Sequence, residues 1–278
     1  MVPAHPAPIA CGNLARMSAY DAVASSFDCH RALPDGVADA IRSSVLASIG
    51  GPPRPWLLDL GAGTGRIGRA FVKAADNYVG VDLSLGMLRE FAHRTVQDGR
   101  ITRLALADGE RLPFRDAIFD AVLLIQVVSA ARNWRLLVAE ARRVLQPEGT
   151  LVVGRAVLPD DGIDARMKRR LSSLLEEMGI PSYDMNTRGV AQPWLESSAK
   201  ASTRIVAAQW TAERTARGFL DRQTTGARFS ALPAQSREQA LHKLAAWATT
   251  EFGTLDAAFS EQLAFELRLF KFQHGAHC

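Results

Sequence analysis

The stretch WLLDLGAGTGRIGRAF, residues 56–71, joins a short apolar run to a glycine-rich turn and then to an amphipathic segment. The first five residues are apolar apart from Asp59, which is typical of a buried strand. Gly61, Gly63 and Gly65 follow, and glycines allow both a sharp turn and a close approach of the backbone to a ligand. A helix that begins after such a turn offers free backbone N–H groups. The stretch therefore predicts a strand–loop–helix site for a polar ligand.

Apolar runs that alternate with helix-like segments continue from this stretch. Four of them are typical of strands, namely residues 78–83, 101–108, 119–128 and 150–157. The segments between them carry apolar residues at helical spacing. This alternation predicts an α/β fold, a doubly wound and mostly parallel sheet with helices on both faces. Two later runs, residues 202–210 and 263–272, predict a hairpin-like pair that completes a seven-stranded sheet.

The chain of 278 residues is long enough for one large α/β domain, which we expect over residues 18–278. Residues 1–17 are rich in proline and alanine, and we expect them to be disordered. Residues 18–50 predict two helices before the first strand. An insertion over residues 158–200 separates the fifth and sixth strands, and its second half, residues 181–200, is predicted to be a loop because it contains proline, glycine and serine.

Composition and charge narrow the possible function classes. The formal net charge is only +4, and the densest basic group, residues 166–170, is soon followed by glutamates, so we expect no nucleic-acid partner. The three cysteines are scattered without metal-ligand spacing, which fits a reduced cytoplasmic protein and predicts no metal site. No apolar run reaches the length of a membrane span, and no signal peptide is visible. The oligomeric state and the choice of Met1 or Met17 as the natural start stay open.

Two known nucleotide loops can be compared with the glycine turn. A dinucleotide loop reads G-x-G-x-x-G, which requires a third glycine at position 66 when the count begins at Gly61. Arg66 stands there, and its bulk would disturb close packing of the helix, so a dehydrogenase is the weaker alternative. A Walker phosphate loop is excluded because the turn contains no G-K-[ST].

Carboxylates follow the next two predicted strands. Asp82 ends the second strand, where a carboxylate beside the glycine loop can accept hydrogen bonds from both hydroxyls of a ribose. Asp108 ends the third strand and can accept from an exocyclic amine such as that of adenine. In the order Asp59, glycine loop, Asp82 and Asp108, these residues predict a site for an adenosine-containing ligand.

The whole order of motifs resembles the class I S-adenosylmethionine-dependent methyltransferases, in particular the type 11 group that includes quinone-biosynthesis C-methyltransferases. The resemblance covers residues 18–157 well and the last third of the chain only in outline. It implies a Rossmann-like methyltransferase fold, S-adenosyl-L-methionine as cofactor and a small or medium organic acceptor. The motifs that carry it are LLDLGAGTGRIG (57–68), VGVDLSLGML (79–88), ALADGERLPF (105–114), FDAVLLIQVV (119–128) and EARRVLQPEGTLVV (140–153).

The resemblance also implies roles for individual positions. The methionine part, the ribose and the adenine of the cofactor would each contact one group of residues. Residues 18–50 would form a helical lid, and residues 158–200 would cover the acceptor. The implied cofactor contacts are Asp59, Gly61, Ala62, Gly63 and Gly65 for the methionine part, Asp82, Leu83 and Met87 for the ribose and adenine, Asp108, Gly109 and Glu110 for the adenine, and Gln126 beside the transferring methyl group.

Residues for the chemical step are harder to assign, and Tyr20, His30 and Gln126 are the candidates. Tyr20 would close over the site or merely pack in the lid, and His30 could reach the acceptor or lie on the surface. Relatives often carry a histidine after the fourth strand, whereas QVVSAARNW (126–134) stands here. A base is needed only if the acceptor must lose a proton that does not leave readily. An active methyltransferase and a catalytically silent cofactor-binding protein or partner subunit both remain open.

Overall fold

The computed structural model describes residues 18, 20–180, 187–224, 226, 229 and 232–273. Residues 1–17, for which we expect disorder, lie outside the described part of the chain. Within it, helices and strands alternate in the predicted way through residue 157.

Seven strands of the described residues form one sheet. In chain order they are β1 (Trp56–Leu60), β2 (Asn77–Asp82), β3 (Arg103–Leu106), β4 (Phe119–Ile125), β5 (Leu145–Val157), β6 (Ala201–Arg214) and β7 (Phe259–Lys271). Their spatial order is β3-β2-β1-β4-β5-β7-β6. The first five strands pair in parallel, whereas β7 runs antiparallel to both β5 and β6. The predicted doubly wound, mostly parallel sheet with a late antiparallel pair is confirmed.

The helices flank this sheet and extend beyond it. A 3₁₀ helix over Asp21–His30 comes first, and the α-helices are α1 (Val37–Ile49), α2 (Gly68–Lys73), α3 (Leu85–Gln97), α4 (Trp134–Val144), α5 (Ile163–Glu177), α6 (Thr187–Ser198), α7 (Ala216–Thr224) and α8 (Ala234–Phe252). The predicted loop over residues 181–200 is wrong where α6 lies. This helix tolerates Pro193 because it buries Ala191 and Leu195 in the core beside the sheet, and burial outweighs local propensity.

Apolar side chains cover both faces of the sheet. On one face Leu58 and Val122 belong to a cluster with Leu137 of α4 and Leu195 of α6. The other face packs against α1 and α2 in a second cluster. Burial of each large aliphatic side chain contributes about 1.5–3 kcal/mol to folding. These two layers hold the carboxyl ends of β1, β2 and β4 in a fixed arrangement.

A third apolar cluster lies among α5, α7 and α8, and includes Met167, Phe219 and Leu244. The insertion over residues 158–200 is therefore divided, because α5 joins this helical cluster while α6 joins the sheet.

The glycine loop is held down by aromatic side chains beneath it. Gly65 has φ +78°, and a Cβ atom there would lie 2.3 Å from the Phe91 ring. A Cβ atom at Gly68, in the first turn of α2, would lie 2.2 Å from the Tyr78 hydroxyl oxygen. The loop can therefore approach β2 and α3 only if both positions lack a side chain.

We expect Gly65→Ala to lower the free energy of unfolding by about 1–3 kcal/mol more than Gly99→Ala, measured by urea unfolding. Gly99 is the matched control because it has φ +69° and no atom within 4 Å of its hypothetical Cβ. Both variants bear the cost of a left-handed alanine, about 1–2 kcal/mol, so the difference isolates the overlap with Phe91. Equal losses for the two variants would show that the ring moves aside without cost.

Candidate functional site

A cavity of about 480 Å³ opens at the carboxyl ends of β1, β2 and β4. Nearly all the predicted site residues line it, namely Tyr20, Asp59, Gly61, Ala62, Gly63, Asp82, Leu83, Met87, Asp108, Gly109, Glu110 and Gln126. Gly65 instead packs beneath the loop against Phe91. His30 ends the 3₁₀ helix, and the position of its side chain lies outside what the structure describes. The sequence thus predicted the location of the cavity, while the role of each residue stays a prediction.

Asp59 is a buried carboxylate with one oxygen engaged. Its Oδ2 accepts a hydrogen bond from the Tyr78 hydroxyl at 2.7 Å, whereas the buried Oδ1 has no hydrogen-bond partner. Burial raises the pKa of Asp59 from its ordinary 3.8 to about 7; the Tyr78 hydrogen bond opposes this rise, and the charge of Asp82 adds to it. A buried carboxylate oxygen without a partner is costly. Asp59 is therefore suited to receive a cationic or hydrogen-bond-donating ligand group.

Asp82 links β2 to the glycine loop. Its Oδ2 accepts from the Gly63 N–H at 2.9 Å and its Oδ1 from the Ser84 N–H at 2.8 Å. Burial raises the pKa of Asp82, against the lowering effect of these backbone hydrogen bonds. The side chain of Ser84 caps α3 by accepting from the Met87 N–H. Both oxygens of Asp82 keep spare lone pairs for a ligand in the cavity.

Asp108 lies two residues beyond β3 rather than at its last position, because the strand ends at Leu106. Its Oδ1 accepts from the Glu110 N–H at 3.0 Å, and its Oδ2 pairs with Arg132 from the loop after β4. Glu110 in turn accepts from the Asn133 N–H at 2.7 Å. This end of the cavity is thus closed by a bridge between the β3 and β4 loops.

The 3₁₀ helix is docked over the cavity through two aspartates. Asp21 accepts from the Ser84 hydroxyl at 2.6 Å and the Gly86 N–H at 2.8 Å. Burial acts to raise the pKa of Asp21, but these hydrogen bonds outweigh it and the pKa is lowered. Asp28 accepts from the Thr64 hydroxyl at 2.8 Å and pairs with Arg94. The helix therefore contacts both the glycine loop and α3, and Tyr20 lines the cavity from it.

Arg66 and Gln126 meet at the cavity wall, a contact that the sequence analysis did not anticipate. Arg66 donates to the Gln126 Oε1 and to the Arg31 carbonyl oxygen, the latter at 2.6 Å. Gln126 follows β4 with φ +58°, which is uncommon for a residue other than glycine. Residues held in such conformations cluster at functional sites. No local pattern signals this pair, because its members lie 60 residues apart in the chain.

Arg66 does not exclude a dinucleotide loop, because the glycine pattern is complete when its first glycine is Gly63 instead of Gly61. Gly63, Gly65 and Gly68 then read G-x-G-x-x-G, and the close contact of the helix lies at Gly68, whose hypothetical Cβ would meet Tyr78. Arg66 is directed to Gln126 and the Arg31 carbonyl. Arg66 therefore does not discriminate between the two ligand classes, and the choice rests on other evidence.

Comparison with known proteins supplies that evidence. Residues 58–153 match the family described as Methyltransferase domain. The ubiquinone/menaquinone biosynthesis C-methyltransferase UbiE of Paraburkholderia phymatum is 33% identical over 138 residues, which cover 48% of this chain and 57% of the relative. The chain thus matches little more than half the length of this curated relative.

Solved structures support the fold. A putative methyltransferase from Bacillus halodurans superposes with a TM-score of 0.55 at 18% identity, over 85% of this chain and all of that one. A Haemonchus contortus phosphoethanolamine N-methyltransferase, solved with S-adenosylhomocysteine, superposes with a TM-score of 0.50 at 13% identity, over 91% of this chain and 58% of that one. The chain has the Rossmann-like methyltransferase fold.

The described residues lack two features that would bear on the function of the site. They contain no helix that is both long enough and apolar enough to cross a membrane. They also bring no three His, Cys, Asp or Glu side chains together in a way that could hold a metal ion.

We expect Asp59→Asn to remove a pH dependence from the stability of the ligand-free protein. Because folding raises the pKa of Asp59 from 3.8 to about 7, the folded state binds a proton that the unfolded state releases, and stability falls as pH rises through this range. Urea unfolding of both proteins at about pH 5 and pH 8 should show the variant gaining about 2–3 kcal/mol on wild type at the higher pH, at about 1.36 kcal/mol for each unit between pH 5 and the folded-state pKa of about 7. A constant difference between the two proteins would contradict the elevated pKa.

Proposed function

We propose that this protein transfers a methyl group from S-adenosyl-L-methionine to a small or medium organic acceptor. The observation that carries the proposal is the arrangement of Asp59, Asp82 and Asp108 around one glycine loop in one cavity. About 480 Å³ lies within the 300–1,000 Å³ typical of small-molecule sites. The match of residues 58–153 to the family described as Methyltransferase domain supports the same function.

The residues present fit this cofactor at both of its ends. The unpartnered Asp59 Oδ1 would accept a hydrogen bond from the ammonium of the methionine part. The open side of Gly63, where a Cβ would meet only the Gly61 oxygen at 3.9 Å, leaves room for a ligand against the backbone. Asp82 would accept from the ribose hydroxyls and Asp108 from the adenine amine, with Leu83 and Met87 against the rings.

The protein's part in the reaction is mainly to position and to exclude water. The bound cofactor supplies an activated methyl group on a sulfonium, so in-line displacement by a nucleophile is sufficient. Tyr20 and Phe27, in edge-to-face contact with ring centroids 6.0 Å apart, form an aromatic wall on the lid side of the cavity. Gln126 lies where β4 ends and would face the acceptor. His30 remains a candidate contact for the acceptor.

The insertion over residues 158–200 would cover the acceptor through its helix α6. A second cavity of about 50 Å³ is lined by Ala191, Gln192 and Leu195 of this helix and shares Gln126 with the larger cavity. Gln126 thus stands between the proposed cofactor cavity and the insertion. This position supports a role for α6 beside the acceptor.

We expect S-adenosylhomocysteine to bind the purified protein in calorimetry, and Asp82→Ala to weaken binding by about 100-fold or more. The loss follows from two charge-assisted hydrogen bonds to the ribose, worth about 1.5–3 kcal/mol each, and is increased because the Gly63 N–H loses the Asp82 oxygen that holds the turn. Asp98→Ala is the matched control, because Asp98 is a half-exposed residue paired with Arg69 away from the cavity.

The same titration decides between ligand classes when it is repeated with NAD. Binding of S-adenosylhomocysteine without binding of NAD is expected. Binding of NAD alone would overturn the proposal and restore the dinucleotide alternative. A third outcome is binding of S-adenosylhomocysteine without transfer of a labelled methyl group into any fraction of a metabolite extract. This outcome would favour the alternative of a catalytically silent cofactor-binding protein.

We also expect cofactor binding to release protons below about pH 7. Asp59 is largely protonated there in the free protein, and contact with an ammonium favours its ionised form. Calorimetry in two buffers of different ionisation enthalpy should show a release that approaches one proton near pH 6 and fades above about pH 8. Asp59→Asn should abolish this release, and a release unchanged in that variant would contradict the assignment of Asp59.

A further inference from the structure

Arg66 is a cation in the cavity wall whose hydrogen-bond partners within the described residues are both uncharged. They are the Arg31 carbonyl oxygen and the Gln126 Oε1. A guanidinium has five N–H donors, so two partners do not exhaust it. Burial lowers the pKa of Arg66, and the positive charge of Arg31 lowers it further, against a raising effect of Asp28. The charge of Arg66 is therefore only partly compensated.

The neighbouring charges do not complete the compensation. Asp28 is the acidic residue whose charge raises the pKa of Arg66. Its carboxylate already pairs with Arg94 and accepts a hydrogen bond from the Thr64 hydroxyl. Arg66 itself therefore brings a positive charge to the cavity lining without a charged hydrogen-bond partner among the described residues. The acidic lining residues, Asp59, Asp82, Asp108 and Glu110, are the groups assigned above to the cofactor or to the bridge that closes the adenine end.

The strand order places Arg66 and Gln126 away from the ribose and adenine contacts. β1 lies between β2 and β4 in the sheet, so Gln126 and the residues that follow Asp82 are on opposite sides of the glycine loop. Arg66 and Gln126 therefore lie on the β4 side of the loop, away from the residues assigned to the ribose and adenine. Because Arg66 donates to the Gln126 Oε1, the amide Nε2 of Gln126 is a donor that this contact does not use.

We propose that the acceptor enters as an organic anion whose negative oxygen, of a carboxylate, phenolate or enolate, pairs with Arg66 and accepts from Gln126. This inference rests on the proposed function and names its substrate class. Gln126 has a strained backbone and its Oε1 already accepts from Arg66, whose charge is only partly compensated. The two side chains therefore offer N–H donors to a ligand, and paired N–H donors beside a positive charge recognise an oxygen anion.

Such an acceptor explains how transfer proceeds without a histidine after β4. The anion attacks through a lone pair on its oxygen, or through the carbon conjugated with it, and forms a bond to the methyl carbon. The bond from that carbon to sulfur breaks, and its electron pair stays on the sulfur as a neutral thioether. When oxygen or an enolate carbon attacks, no proton needs to move; when a phenolate ring carbon attacks, that carbon later loses its proton to water and the ring becomes aromatic again. Arg66 would hold the anion in line with the methyl group.

The test uses the full-length protein with labelled S-adenosylmethionine and a metabolite extract that has first been separated by anion exchange at about pH 11, where carboxylic acids, phenols and acidic enols are all ionised. Wild type should label compounds from the retained, anionic fraction. Gln126→Glu is isosteric and places a carboxylate against Arg66, so it should raise the KM for the retained acceptor by about 30-fold or more. Arg66→Gln should do the same and Arg66→Lys should recover part of the loss, with S-adenosylhomocysteine affinity unchanged throughout.

The matched control is Arg69→Gln, because Arg69 lies three residues further on in α2 and pairs with Asp98. Its kinetics should equal those of wild type. Label confined to the unretained fraction, or a Gln126→Glu variant with wild-type KM, would overturn the anionic acceptor and leave the proposed methyl transfer standing. Label in neither fraction would count against methyl transfer itself. Equal loss of S-adenosylhomocysteine affinity in the Arg66 and Gln126 variants would instead assign them to the α-carboxylate of the cofactor or to the fold of the loop, and would overturn the anionic acceptor.

Discussion

The site depends on one constraint, the turn of the backbone over the carboxyl end of β1, which Asp82 holds in place from the neighbouring strand. Its Oδ2 accepts from the Gly63 N–H, and the Gly61 N–H donates to the Val81 carbonyl oxygen at 2.8 Å. The turn must also sit directly on Phe91, which requires Gly65 to lack a side chain. The backbone is thereby fixed at the position where a ligand would lie against it.

The remaining parts of the site are arranged around this turn. Asp59 reaches it from beneath as a buried carboxylate, and the 3₁₀ helix closes over it through Asp21 and Asp28. Arg66 extends from the turn toward Gln126. Asp59, Asp82 and Asp108 thus lie where the cofactor would bind, and Arg66 lies where the acceptor would bind. This placement of charge would help the site to distinguish the two ligands.

The sequence predicted the parts of this arrangement that have local signals. Alternation of apolar runs located the strands, and Asp59, Asp82 and the glycines indicated the cavity. Contacts between distant segments had no such signal, which is why the Arg66–Gln126 pair was missed. The sequence predicts a loop where α6 lies, because Pro193 and its polar neighbours disfavour a helix locally. The helix forms because Ala191 and Leu195 are buried beside the sheet, and the local sequence does not reveal this burial.

The most direct test of the account is a crystal structure of the protein with S-adenosylhomocysteine. The account predicts the amino group of the ligand on Asp59 Oδ1, the ribose hydroxyls on Asp82, and the sulfur directed toward the end lined by Arg66 and Gln126. A ligand bound the other way round, with its adenine against Gln126 and its amino acid part near Asp108, would contradict it. So would a complex in which the Asp59 oxygen stays without a partner.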